Sequence, residues 1–533
     1  MRFHEQQMDR EINLDSILAL EKQIEGHEGH ESIIIQLKRT RNSLLNVSTL
    51  PPETLGTIFR WNATPEGELG GISKGSYNFL LVCHHWFEVA SSTPELWSFW
   101  GNLIQDWSHR HHRCKTAPLD LVLDGYIHWD LSDQLRGALQ DRAARNTIRR
   151  VHLHGFSDTL ISAIISSLSI TPKGEEIRTI GVESFTVRLA GRGIVDVSAF
   201  FSQNRLPKLR CLRLSGCSIS SWDLLKPQTT VLTTLELTGV AFSPTPTPSQ
   251  LLSILSSNPL LQHFVLSYSP DSDIIDSDIP HARVTLRHLK QLRFDGPFRY
   301  AFRLLSQLEL PDKMDDFNLF LYECSPQDLS QTVGPYFGDR IRRRGWFPGG
   351  GLWLSADHSS RIFNIATGDP CNGDDPAEAV LFAKVVTIMS VDLEDGEAER
   401  LGFDLIAHIP LERVTNLQTN LPILRSEDLC VEMCRLTYLR LICMDLSRWF
   451  IEPDIRGPRT FKDLLRGLDR IDIMKPVLGG GGWSPLTNFL TRRAAVGNQI
   501  SSLRMSGHPW MSPEVVDGIK RAVKVFRVPG YKS

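Results

Sequence analysis

The stretch Leu206-Pro-Lys-Leu-Arg-Cys-Leu-Arg-Leu-Ser-Gly-Cys217 decides how most of this chain is read. Leu209, Leu212 and Leu214 follow the spacing apolar-x-x-apolar-x-apolar, and Cys217 comes three residues after Leu214. Alternate side chains of an extended strand share a face, so Leu212 and Leu214 belong to one face and Arg213 to the other. The unit recurs at Ile148, Val151, Leu153; at Ile177, Ile180, Val182; at Leu232, Leu235, Leu237; at Leu261, Phe264, Leu266; and at Leu289, Leu292, Phe294. Its starts fall 29, 32, 23, 29 and 28 residues apart, the period of stacked strand-plus-helix units. Between units lie helix-like pieces such as PSQLLSILSSNP over 248–259, read as capped by Ser249 and stopped at Pro259.

The pattern spreads in both directions. Upstream, APLDLVLDG at 117–125 alternates like a strand, and LSDQLRGALQDRA at 131–143 has helical spacing. Downstream of Phe294 the rhythm becomes irregular: Leu305, Leu308 and Leu310 follow too soon, and 315–378 carries loops such as PGGG and GDPCNGDDP. It resumes at Val386, Met389, Val391, at Val414 and Leu417, and at Leu436, Leu439, Leu441. Late units are Leu468, Ile471, Ile473 and Ile500, Leu503, Met505. The endings at Cys217 and Val240 are those common in leucine-rich repeats. The expectation is an irregular α/β solenoid of leucine-rich-repeat type over about 119–526, with an insertion near 325–378.

Ahead of the repeats stands a different kind of segment, from Leu50 to Trp97. In LPPETLGTIFRW, Leu50, Leu55, Ile58 and Phe59 repeat at helical spacing behind Pro51 and Pro52. After a Gly-rich spacer, Phe79, Leu80, Val82, Cys83, Trp86 and Phe87 make a broad apolar stripe, which Thr93-Pro94 breaks ahead of Leu96 and Trp97. Two apolar stripes within fifty residues are too little for a self-sufficient core. Such a module is expected to finish burying its apolar surface against something else. Further upstream, Ile12, Ile17, Leu20, Ile24 and then Ile34, Leu37, Leu44 predict helix from Met8 to Leu45, interrupted by GHEGH at 26–30. Heptads do not persist, so this reads as a helical hairpin or kinked arm rather than a coiled coil.

Composition narrows the function classes. In 533 residues, 41% hydrophobic and 22% charged are the values of a soluble globular protein. A net charge of −3 lacks the basic excess of a general nucleic-acid binder. Nine cysteines without a CxxC pair predict reduced thiols in the cytoplasm or nucleus rather than a disulfide framework. MRFHEQQMDREIN has no apolar h-region, and the longest apolar run, Ala379–Val391, is short and contains Lys384, so neither a secretory signal nor a membrane span is expected.

Candidate chemistry is thin. Gly71-Ile-Ser73-Lys-Gly75 fits GxSxG, but a nucleophile elbow needs a strand before it, and a polar glycine-rich spacer stands there. His109, His111, His112 and Cys114 have zinc-ligand residue types without a second pair at zinc-site spacing, so a solvated turn is expected. Asp271, Asp273, Asp276 and Asp278 lack the glycine and terminal glutamate of a calcium loop. Gly349–Gly351 and Gly479–Gly482 lack the Lys-Ser/Thr of a phosphate loop. Arg340, Arg342, Arg343 and Arg344 form a basic cluster with the composition of a nuclear-import patch. No catalytic residue, cofactor or metal ligand is assigned.

LPPETLGTIF followed by LLVCHHWFEVASSTPELW resembles the F-box motif, particularly that of the large F-box families of mushroom-type fungi. The matching positions are Leu50, Pro51, Glu53, Leu55, Ile58 and Phe59, then Val82, Cys83, Trp86, Ala90, Pro94, Leu96 and Trp97. The match covers about a tenth of the chain, and the spacer Trp61–Tyr77 is longer and richer in glycine than in the family. The resemblance implies a docking module for the Skp adaptor of an SCF-type cullin-RING ubiquitin ligase, with leucine-rich repeats behind it receiving a protein substrate.

The expected organisation is a helical arm at 1–48, an F-box-like helical module at 49–115 and a repeat domain at 116–533. Adaptor docking falls to Leu50, Pro51, Leu55, Ile58, Phe59, Val82, Cys83, Trp86, Leu96 and Trp97. In this repeat register His152, Arg213, Glu236, Arg293 and Arg440 point outward from the strands and line the concave face as the expected substrate surface; arginines there favour an acidic or phosphorylated target. Partners would be the adaptor, through it the cullin and RING subunits, and a substrate, with neither nucleic acid nor membrane. Two other readings stay open: a repeat scaffold with no ligase role, and a hydrolase built on Ser73.

Overall fold

The computed structural model describes residues 16–24, 31–43, 50–63, 78–101, 112–124, 133–144, 146–155, 158–169, 178–189, 193–226, 231–239, 246–267, 283–323, 325–342, 351–357, 362–368, 384–389, 408–409, 411–419, 433–442, 465–476, 482–506 and 511–528. It is a mixed α/β protein in which parallel strands dominate, and it divides into two compact units. The first takes residues up to Leu232 with 240–244, the second takes 233–239 and everything from Thr245.

In the first unit helix α1 covers 16–24 and α2 covers Glu31–Ser43. Arg41 forms an ion pair with Glu21 at 3.7 Å, which joins the two as a helical pair. The GHEGH segment between them lies outside the described residues. The 50–97 module contributes α3 (Pro52–Ala63), α4 (His84–Ser92) and α5 (Pro94–Trp97). The chain then enters β1 (Phe99–Gly101) at once, and β1 runs parallel to β2 (Leu119–Asp124). Next come α6 (Asp133–Ala144), β3 (Ile148–His154), α7 (Asp158–Ser169), β4 (Ser184–Arg188), α8 (Ser198–Gln203) and β5 (Cys211–Ser215). Strands β1 to β5 pair in chain order, all parallel. Sequential parallel strands need crossovers of one hand, which collects the helices on one face. The burial agrees: Leu121, Val151, Phe185 and Leu212 share one register row and are all buried, as are Leu123, Leu153, Val187 and Leu214.

The second unit begins with β6 (Thr234–Thr238), α9 (Pro248–Ser256), β7 (His263–Ser267), β8 (Gln291–Pro297), α10 (Phe298–Gln307) and β9 (Asp316–Tyr322). Strands β6 to β9 are again parallel and in order. An antiparallel hairpin, β10 (Gly351–Asp357) and β11 (Ile362–Gly368), interrupts them. Strand β12 (Lys384–Met389) pairs with β9 on one side and with β11 on the other. Strand β10 hands over to β13 (Asn416–Thr419), and the parallel run continues through β14 (Tyr438–Ile442), β15 (Arg470–Met474), β16 (Ile500–Ser506) and β17 (Val523–Arg527). Helices α11 (Ser484–Ala495) and α12 (Pro513–Ala522) pack against each other beside these last strands.

One hydrogen-bonding device repeats from unit to unit. The carbonyl oxygens of Glu183, Thr233, Gln262, Lys290, Thr415, Thr437 and Asp469 each accept two consecutive N–H groups at the start of the following strand, at 2.7–3.2 Å. A turn precedes most of those starts: Leu209, Leu261, Leu289, Val414, Leu436 and Leu468 each donate to the carbonyl three residues earlier. In those six units the first apolar residue therefore sits in a turn and the later ones lie on the strand, whereas Ile148 and Ile500 already belong to their strands. Two helix ends reuse an asparagine: Asn204 donates to Phe200 O at 2.8 Å and Asn258 to Ile254 O at 2.7 Å. Two buried arginines bridge loop carbonyls. Arg142 reaches Ala117 O and the thiol of Cys114, and Arg493 reaches Leu465 O, Leu468 O and Asn498 O at 3.0–3.2 Å. Burial lowers the Arg493 guanidinium to about 10, still charged at neutral pH.

Three sequence expectations are corrected. The unit placed at Ile177, Ile180 and Val182 is out of frame, because the strand is Ser184–Arg188 and its inward residues are Phe185 and Val187. Ile180 and Val182 are buried in the approach to that strand, so burial without extended pairing imitates the pattern. The rhythm does not lapse after Phe294: Met314, in the approach to β9, and Phe317 and Leu319, on that strand, continue it. The cap of α9 is Thr247, whose hydroxyl accepts from Gln250 N while the Gln250 side chain accepts from Thr247 N. Pro248 takes the first helical position and leaves Ser249 inside the helix.

Candidate interaction surfaces

The 50–97 module has a small core of its own. Pro51 O accepts from Thr54 N and Leu55 N at 2.9 and 3.1 Å and starts α3. That helix buries Leu55, Gly56, Phe59 and Ala63. The Phe59 ring stacks on Phe79 at 4.5 Å and tilts against Trp86 at 5.1 Å. Gly56 faces Thr93, where a Cβ would stand 3.1 Å from the threonine hydroxyl, so the glycine sets how closely α3 approaches the α4–α5 junction. Cys83 is the N-cap of α4, its sulfur accepting from Trp86 N at 3.5 Å. The Trp97 indole N–H donates to Ala90 O at 2.8 Å and fastens α5 back onto α4. The Arg113 guanidinium lies 4.4 Å from the Trp97 ring centre and 5.6 Å from that of Phe87.

The residues expected to dock an adaptor divide between this core and the outside. Leu55, Phe59, Leu96 and Trp97 are buried in it; Leu50, Cys83 and Trp86 are half-buried; Pro51, Ile58 and Val82 are exposed. Phe87, part of the apolar stripe read from the sequence, is exposed as well, and so are Trp61, at 76%, and Leu81, at 85%, which the spacing did not single out. Ile58 and Trp61 are three residues apart on α3, away from its Leu55–Phe59–Ala63 stripe. The signal for Trp61 was available: it is a large apolar residue out of phase with the buried stripe. The indole N–H of Trp86 and Nε2 of His85 are buried with no hydrogen-bond partner among the described residues.

The strands present a polar face opposite their buried rows. On the first unit, Val122, His152, Thr186 and Arg213 share one row. His152 is buried, with Nε2 2.8 Å from Ser184 Oγ, and Arg213 is half-buried. Beside them Asp120 receives Arg149 Nε at 2.9 Å and a guanidinium N–H from both Arg149 and Arg150. Burial pushes the Asp120 carboxyl up, but those hydrogen bonds and charges outweigh it and hold the group below the usual carboxylate range.

On the second unit, Glu236, Val265, Arg293 and Asn318 form a row. Glu236 is half-buried and Arg293 exposed. Asp316 accepts from Gln291 at 2.9 Å and Asn318 at 2.6 Å, and burial keeps its carboxyl above the ordinary value. On the later strands, Gln418, Arg440, Asp472, Arg504 and Arg527 make one row and Tyr438, Arg470 and Ser502 its neighbour. Arg440 was expected there from the sequence; Tyr438, Arg470, Asp472, Arg504 and Arg527 were not, although they fall at the same alternating positions.

The remaining candidates have little to add. Ser73 with its GxSxG, His109, His111 and the Asp271–Asp278 run lie outside the described residues. Cys114 is buried against Arg142. Among the described residues no three His, Cys, Asp or Glu side chains stand together as a metal site, and no helix is long and apolar enough to cross a membrane. In comparison with known proteins, the chain matches no protein-family model and no curated sequence.

Proposed function

We propose that this chain is a non-catalytic receptor that holds one protein through its 50–97 module and another through its polar strand face. More specifically, it reads as the substrate-recognition subunit of an SCF-type cullin-RING ubiquitin ligase, working in the cytoplasm or nucleus. The module takes the part of an F-box that binds a Skp-type adaptor, and the strand-and-helix units take that of an irregular leucine-rich-repeat solenoid. The observation that carries the reading is the division within the module. A self-contained core around Phe59 leaves Ile58, Trp61, Leu81, Val82 and Phe87 outside it. Burying such a side chain contributes about 1.5–3 kcal/mol, so a few of them offset the entropic cost of association. The mechanism is proximity: adaptor on one side, substrate on the other, and a raised effective concentration for ubiquitin transfer by the partners.

The test uses the whole chain carrying Ile58→Asp and Val82→Asp. Co-purification with the adaptor is lost while circular dichroism and thermal unfolding stay as in the parent. Undiminished adaptor binding by the folded variant would falsify the docking assignment.

A further inference from the structure

The later strands of the second unit carry a concentration of one charge sign that the composition conceals. The chain as a whole is slightly acidic, at −3. Yet on one face of four neighbouring strands stand Arg440 on β14, Arg470 on β15, Arg504 on β16 and Arg527 on β17, against a single carboxylate, Asp472. They share that face because Leu439, Leu441, Ile471, Ile473, Leu503 and Met505 alternate with them and are buried. The equivalent face of β6 to β9 has the opposite bias, with Glu236, Asp295 and Asp316 against Arg293.

Asp472 organises this surface rather than neutralising it. Its side chain is 5% exposed, with Arg440 and Arg470 each 3.5 Å away and the Tyr438 hydroxyl donating at 2.7 Å. Arg440 Nε also donates to the Tyr438 hydroxyl at 2.8 Å. Both guanidinium groups lie over the Tyr438 ring, at 5.6 and 5.1 Å from its centre. Arginine side chains held in this way lose less freedom when a further anion arrives, and their forked donors suit carboxylates.

We propose that the Arg440–Arg470–Arg504–Arg527 surface is the docking site for an acidic, Asp- or Glu-rich extended segment of the protein substrate. The proposal rests on the receptor reading and names the class of substrate. Strands are spaced about 4.8 Å apart, so four of them span roughly 14 Å, the length of about four extended residues. Charge complementarity selects the occupant, and the acidic face of β6 to β9 repels the same segment. A nucleic acid fits less well, because the aromatic ring at this surface is already covered by two guanidinium groups and is closed to base stacking.

Fluorescence anisotropy on the full chain tests this with three labelled probes: a decapeptide alternating Glu and Ser, its Gln–Ser counterpart, and a single-stranded decathymidylate. The Glu peptide binds, weakens as salt rises, and loses affinity roughly tenfold with Arg504→Gln and Arg527→Gln together. The double Arg→Lys variant also weakens it, because the charge stays and the fork goes. Arg293→Gln leaves binding unchanged. Equal binding of the Gln peptide, full binding by the folded glutamine variant or the lysine variant, or tighter arginine-dependent binding of the oligonucleotide overturns the proposal. The assay contains no adaptor, so its failure leaves the docking assignment standing. Conversely, an adaptor-deficient Ile58→Asp chain still binds the Glu peptide.

Discussion

The Tyr438 hydroxyl donates a 2.7 Å hydrogen bond to Oδ2 of Asp472, which stands diagonally across from it on β15, two residues beyond its register partner Arg470. Burial, reinforced by the Asp472 charge and that hydrogen bond, raises the phenol well above its ordinary value, more than Arg440 and Arg470 lower it. The protonated form is the one the fold favours. Its stabilising contribution is therefore complete below about pH 10 and is lost as pH rises through the elevated value. Tyr438→Phe is expected to cost about 1–3 kcal/mol at neutral pH. The difference from the parent should shrink in strongly alkaline solution, as read by denaturant titration at several pH values.

Asp120 behaves in the opposite sense. Its carboxyl is held below the ordinary value by Arg149 and Arg150 against the effect of burial. The contribution of the charged form is thus present above about pH 4 and disappears as pH falls through the depressed value. Asp120→Asn should lower the melting temperature at pH 7 and approach the parent's melting temperature under acid conditions. An identical gap at pH 7 and pH 2.5 would show that the two arginines add nothing to stability through this charge.

Within the 50–97 module, Phe59→Ala and Trp61→Ala should part company. Phe59 is buried between Phe79 and Trp86, so its truncation leaves a cavity costing about 3–5 kcal/mol. Trp61 is exposed, and its truncation should leave thermal unfolding within about 0.5 kcal/mol of the parent. Loss of adaptor binding in a Phe59 or Leu55 variant reports a damaged core, which is why the exposed residues carry the docking test.

Thiol labelling should follow burial. Cys217 is buried, and desolvation pushes its thiol up to about 12. Cys434 is exposed. At pH 8, iodoacetamide should modify Cys434 within minutes and reach Cys217 only once the protein unfolds, as peptide mass spectrometry would show.

Much of this architecture can be read from side-chain spacing alone. Units such as Leu209, Leu212, Leu214 and Leu261, Phe264, Leu266 predict a strand with two inward residues, and the protein folds so, with the first leucine in a turn that the spacing did not name. The pattern misleads at Ile180 and Val182, because a buried approach to a strand has the same spacing as the strand. The three residues of β1, all buried, show no alternation to read. The hairpin of β10 and β11 is invisible for another reason: its place is decided by which distant strand edge it meets, a matter of pairing rather than periodicity. At the surfaces, alternation names the face on which Arg440 or Arg213 stands. Whether that face is covered depends on neighbours far along the chain. His152 shows this, being outward by spacing yet buried beside Ser184.

The short strand β1 follows α5 after one residue, and Ser98 O accepts from Asp120 N at 2.9 Å where the chain joins β2. Trp97 on the helical side and Trp100 on the strand side are both buried, the indole of Trp100 donating to Trp97 O at 3.2 Å. There is no slack at this join. A hinge needs residues free to change backbone angles, and here each is already committed to a helix, a strand or the bond between them. The module therefore passes into β1, and through its pairing to β2, without a linker. On the proposed reading, the adaptor-binding helices lead into the first strand through a single residue, Ser98.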